Sequence, residues 1–286
     1  MKIYILPVDP RFQPGRQNYR MPTHGADWGV EQDFQDWLLH HPELIAATPE
    51  EADWEYLPMF HNRVYINWRW GEGLDDIQHE IFRLVSRNRP TFTICEYDLI
   101  QMRKIDLCNM VVFTASRQVD NGSIDIPLLC SPHEQPGQVP EKRYLASFCG
   151  NLQTDGIRLE MQEALAGRGE VAIYTGDRGT QFFVNLMLSS YIGLAPRGHG
   201  GQSFRFYEAM DLGVVPYHIG TPDTRPFRRW LDWDNCSLYA PAVKDVRFPK
   251  DRNRLVQMGW NARKTYRDHL QYGQWCRYVL KELERL

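Results

Sequence analysis

The residues best suited to chemistry lie close together, in positions 194–216. Arg197, the glycines at 198, 200 and 201, Ser203, Arg205 and Glu208 follow one another between two apolar runs. The pattern reads as a strand, a Gly-rich turn, a short helix capped by Ser203 and stopped by Gly213, and a second strand. Glycines let the backbone approach a ligand closely, and the free amides at a helix start suit phosphate. Arg197 and Arg205 can give charge-assisted hydrogen bonds to a diphosphate. Glu208 lies three residues after Arg205, so both project from nearly the same helix face. An ionised carboxylate only accepts hydrogen bonds, which suits the vicinal diol of a ribose. Each feature alone has an ordinary reading, a plain turn or a solvated surface pair. Their coincidence behind a buried strand shifts the balance toward a ligand site.

The elements that must hold this loop alternate in type. The amino half reads as a strand at 2–6, a helix with Val30, Phe34, Trp37 and Leu38 at helical spacing, and a strand-like run at 54–60. A helix at 74–85 follows, with Ile77, Ile81, Phe82 and Val85 placed on one face, then strands at 91–95 and 110–115. A polar, proline-bearing stretch at 131–141 has the composition of a linker. After it come strands at 144–149, 171–174, 191–195 and 214–219, with helices at 157–165, 181–188 and 204–212 between them, and two helices over 251–286. Such alternation builds parallel sheets covered by helices. The expected domains are therefore 1–135 and 142–286, with the last helix able to pack back on the first.

Composition excludes several other classes. The 286 residues are 43% hydrophobic and 24% charged, enough for one large core or two medium ones and too apolar for disorder. A net charge of -3 offers no cationic field for coating a nucleic acid. No apolar stretch reaches the roughly 20 residues needed to span a bilayer. The six cysteines form no CxxC pair, and free thiols in a reducing cytoplasm are expected.

The run at 195–216 resembles the signature of the exostosin-type glycosyltransferases, carbohydrate-enzyme family 47. The match runs through Pro196-Arg197-Gly198, Ser203, Arg205, Glu208-Ala209, Gly213 and Val215-Pro216. Further similar segments occur in the family's order: Glu31 with Phe34 and Leu38-Leu39, Glu50-Glu51-Ala52-Asp53 before Pro58-Met59-Phe60, Lys142-Arg143 through Gly150 to Arg158, and Leu231-Asp232-Trp233. The resemblance implies an α/β protein of GT-B type, with two Rossmann-like domains facing across a cleft. It also implies an inverting transferase that needs no cofactor or obligatory metal and moves a sugar from a nucleoside diphosphate, expected to be UDP, to a glycan acceptor. Carried over residue by residue, Glu208 would hold the ribose. Arg158 and Arg197 would compensate the diphosphate, with Ser203 and Arg205 supporting the same loop.

Inversion requires a base for the acceptor hydroxyl. Candidates are His24, Asp27, Glu31, His61, Glu96 and Asp98, of which Glu31 matches a family position and opens a helix. Asp232-Trp233-Asp234 has the spacing of a manganese-binding motif, but two carboxylates make a sparse site. Trp68 and Trp70 are placed either to stack on a sugar or to fill a core. Two further readings compete: a non-catalytic exostosin-like subunit of a glycan-polymerising complex, and a dinucleotide oxidoreductase, which would rest on the Gly-rich turn alone.

Overall fold

The computed structural model describes residues 1–15, 29–67, 73–96, 105–129 and 132–286. His24, Asp27, Asp98, Trp68 and Trp70 lie outside them. The chain divides into two compact units, Met1–Leu129 with Tyr272–Leu286, and Cys130–Gln271. The second unit thus ends at Gln271, and residues 272–286 belong to the first. Packing is the reason. Trp275 is fully buried in the first unit, its ring 5.9 Å from that of Phe34.

The first unit is a parallel sheet in the order β1 (Ile3–Ile5), β2 (Trp54–Leu57), β3 (Thr91–Cys95), β4 (Val111–Thr114) and β5 (Ile124–Asp125). Tyr56 pairs in register with Phe92 and stacks on it at 5.0 Å. Phe34 of α1 (Val30–Leu39) meets both rings edge-on, at 5.1 and 5.8 Å. Because side chains alternate along a strand, Leu57 points the other way. There it joins Ile77 and Ile81 of α3 (Leu74–Leu84) and Val64 of α2 (His61–Asn67). Phe82, placed with them by the sequence reading, is 52% exposed, because one residue beyond Ile81 the helix has turned by about 100°. The short α2 went unseen in the sequence, having no apolar repeat to announce it. The last helix, α8 (Cys276–Leu283), completes this unit.

The second unit has the order β10-β9-β8-β6-β7, again parallel throughout. Its strands are β6 (Tyr144–Gly150), β7 (Val171–Thr175), β8 (Ser190–Pro196), β9 (Val215–Ile219) and β10 (Leu238–Ala240). Two layers of apolar side chains lie on it. One gathers Met161 and Leu165 of α4 (Gly156–Leu165) with Leu255 and Met258 of α7 (Arg252–Thr265). The other gathers Val184 and Met187 of α5 (Thr180–Leu188) with Ala209 of α6 (Phe204–Asp211). Gly193 makes the second layer possible, since a Cβ there would stand 2.7 Å from Met187 Sδ and 2.8 Å from Ala209 Cβ. Gly193→Ala is expected to cost about 1–3 kcal/mol through overpacking, read as a lower urea midpoint with an unchanged m-value.

The chain goes from β6 outward to β7, then returns across β6 to start β8. The sheet therefore has its topological switch between β6 and β8, and ligands of open parallel sheets bind beyond the carboxyl ends of the strands at such a point. Those ends are Gly150 and Pro196. No helix of the described residues is long and apolar enough to cross a membrane.

Candidate functional site

Arg158 ties the two strand ends together. It sits in the first turn of α4, which Asp155 caps by accepting from the Ile157 amide at 3.0 Å. Its Nη1 donates to Asn151 O at 2.8 Å, beyond β6. Its Nε donates to Arg197 O at 2.9 Å and its Nη2 to Pro196 O at 3.3 Å, at the end of β8. Nη2 also reaches Ser203 Oγ at 3.4 Å. Gly198 leaves room for this, since a Cβ there would come within 2.9 Å of Nη2. Burial, with repulsion from Arg205 second, lowers the Arg158 pKa to about 10. The structure thus uses Arg158 as a brace for the loop, its fork directed at backbone carbonyls. Ser203 occupies the N-cap position of α6, but its side chain makes no capping bond, in contrast to the sequence reading.

Glu208 is enclosed to 1% exposure. Its Oε2 is bound by Arg205 Nη1, and its Oε1 by His133 Nε2 at 2.8 Å. Burial alone would raise its pKa, yet Arg205 and His133 outweigh that and lower it to about 2, so the carboxylate is ionised. An ionised carboxylate has no proton to give, so His133 Nε2 carries the hydrogen between them. Arg205 lies over the Phe183 ring at 4.4 Å and donates from Nε to Cys149 O at 2.8 Å. Arg197 extends along Gly220, donates to Thr221 O at 2.6 Å and faces Asp155 at 3.2 Å. The Arg197 and Arg205 side chains are 17% and 20% exposed, so neither is wholly enclosed beside the switch point. His133 is a participant that the sequence reading missed, since a lone histidine in a polar, proline-bearing stretch gives no signal.

The first unit has a polar centre of its own, also beyond strand ends. Glu31, in the first turn of α1, is 2% exposed, and its Oε1 accepts the amides of Asn62 at 3.2 Å and Glu96 at 3.1 Å. Desolvation dominates and raises its pKa to about 7, against the lowering effect of those amides and of Arg63. His61 is fully buried, and burial lowers its pKa to about 4. Thr93 gives its hydroxyl hydrogen to Leu57 O at 2.9 Å, so His61 Nε2, at 2.9 Å, is the donor to Thr93 Oγ1. Among the described residues, Glu31 Oε2, His61 Nδ1 and Asn62 Nδ2 have no hydrogen-bond partner. Asp232 and Asp234 are exposed on either side of buried Trp233, and Asp234 lies 3.6 Å from Arg225.

The chain is thus a protein of two parallel α/β units, one of which carries a braced, cationic, glycine-bearing loop at its switch point. The Exostosin GT47 domain matches residues 1–254, and the chain belongs to that family of glycosyltransferases. It is 27% identical over 122 residues to Exostosin-1 of Drosophila melanogaster, covering 35% of this chain and 16% of that protein. To the Exostosin-1 homolog of Caenorhabditis elegans it is 29% identical over 90 residues, 30% of this chain and 24% of that one. The matched part therefore spans less than a quarter of either relative. Among solved structures, TarM is similar with a TM-score of 0.38 at 8% identity, over 69% of this chain and 55% of that chain. MurG of Acinetobacter baumannii is similar with a TM-score of 0.38 at 8% identity, over 100% and 99%.

Proposed function

We propose that this chain transfers a sugar from a nucleoside diphosphate, a UDP-sugar, to a hydroxyl of a glycan acceptor, with inversion and without an obligatory metal. The observation that carries the reading is the switch-point loop, where partly exposed Arg197 and Arg205 side chains accompany a buried, ionised Glu208. As the acceptor oxygen bonds to the anomeric carbon, the bond from that carbon to the diphosphate breaks and negative charge moves onto the leaving group. Fixed cations are most useful where that charge develops. Arg197 and Arg205 supply them, Arg158 and Ser203 hold the loop that presents them, and Glu208 accepts from the ribose. Glu31 takes the acceptor proton. With a pKa of about 7 it combines a useful ionised fraction with the basicity that proton transfer needs.

A thermal-shift panel of UDP, GDP, CMP and NAD, with and without EDTA, tests this on the wild type and Glu208→Ala. A ligand of the folded state raises the midpoint once its concentration exceeds its Kd. UDP is expected to stabilise the wild type in EDTA and to lose that effect in the variant. Stabilisation only with added manganese would overturn the metal-free mechanism. No shift with any nucleotide would favour the non-catalytic subunit, and a shift with NAD alone would favour an oxidoreductase.

A further inference from the structure

Both oxygens of Glu208 are already taken, and the group has 1% exposure. Each oxygen could accept a second hydrogen bond, but the burial of the group means that a ribose hydroxyl reaches it only if one of the side chains covering it moves aside. Arg205 is held on three sides, by its helix, by Cys149 O and by the Phe183 ring. His133 is held far less. It comes from a stretch without helix or strand, and among the described residues its ring makes one hydrogen bond, to Glu208, lies 5.2 Å from Phe183, interacts electrostatically with Asp211 and keeps 13% exposure. The imidazole N–H and a ribose O–H are chemically equivalent here, each a single donor to Oε1.

We propose that His133 holds the ribose position on Glu208, and that the nucleoside diphosphate must displace it to bind. The inference rests on the ribose role given to Glu208 above. In the exchange one hydrogen bond to Oε1 breaks and another forms, and no covalent bond changes. The site thereby favours ligands that bring a hydroxyl donor. Inorganic pyrophosphate needs only the arginines and leaves His133 in place, whereas UDP binds with its affinity reduced by the fraction of time that His133 is away. The segment after residue 131 thus acts as a built-in competitor of the donor, and donor binding releases it.

Isothermal titration of UDP and of inorganic pyrophosphate into the full-length wild type, His133→Ala, His133→Gln and Glu208→Ala tests this. His133→Ala should bind UDP about tenfold more tightly, as for a competitor absent about a tenth of the time, with pyrophosphate affinity changed by less than about twofold. His133→Gln keeps an N–H donor near the Nε2 position and should stay close to wild type, which also controls for any loss of folding in the alanine variant. Weaker or unchanged UDP binding in a folded His133→Ala would overturn the displacement, because the histidine would then support the site or stand apart from it. Failure of the ribose reading looks different: Glu208→Ala would bind UDP as well as wild type, or the wild type would not bind UDP at all.

Discussion

Glu31→Gln is expected to reduce turnover by about 10²–10⁴-fold, measured as nucleotide release from the nucleotide-sugar with saturating acceptor, while the Kd for UDP stays unchanged. Glutamine keeps the size of the side chain and an oxygen for the amides of Asn62 and Glu96, but it cannot take up a proton. The same variant has a signature in stability that needs no substrate. The folded-state pKa of Glu31 is raised, from 4.5 to about 7, so its contribution to stability is complete below the lower value and is lost as pH rises through the upper one. The full loss amounts to about 3 kcal/mol. Buried His61, its pKa lowered to about 4, adds stability over the same range in both proteins, so urea titrations at pH 5 and pH 8 should show the wild type losing stability relative to Glu31→Gln. Equal turnover in the two proteins would remove the base, and parallel pH curves would remove the titration.

Arg158→Met should be the most damaging change in the second unit. It leaves the carbonyls of Asn151, Pro196 and Arg197 without their donor in an enclosed place. The expected loss is about 3–5 kcal/mol, because each enclosed carbonyl left without a donor costs about 1–3 kcal/mol. Arg158→Lys keeps the charge but loses the planar fork, so it should recover little of that stability. The pair of variants separates a brace from a phosphate ligand. If Arg158→Lys folded as stably as wild type and lost only UDP affinity, the guanidinium would be contacting the diphosphate instead.

The sequence was most legible where apolar periodicity and turn chemistry agree. Strands β6 to β9 and helices α4 to α6 lie within one or two residues of their expected bounds, because each carries its own buried stripe and its own Gly, Asp or Ser punctuation, whereas the three-residue edge strand β10 was not foreseen. Arg197, Arg205 and Glu208 are brought to one loop end because a strand, a turn and a helix of fixed geometry leave them no other arrangement. Properties that depend on distant residues were hidden. Ser203 has the right type and position for a cap, yet its hydroxyl is drawn to Arg158, 45 residues earlier. The fork of Arg158 is directed at backbone carbonyls, which no side-chain pattern records. His133 reaches Glu208 across 75 positions from a stretch that looks like a spacer. The strongly raised pKa of Glu31 comes from its burial in the folded unit, which no local pattern around residue 31 records.

The membership of residues 272–286 in the first unit has a consequence for how the protein is made. The amino-terminal half leaves the ribosome first but lacks Trp275, a fully buried side chain packed on Phe34. The second unit, continuous from Cys130 to Gln271, has its whole sequence available earlier. The half synthesised second can therefore be the first to finish folding, while the older half waits, with apolar surface uncovered, for residues 272–286.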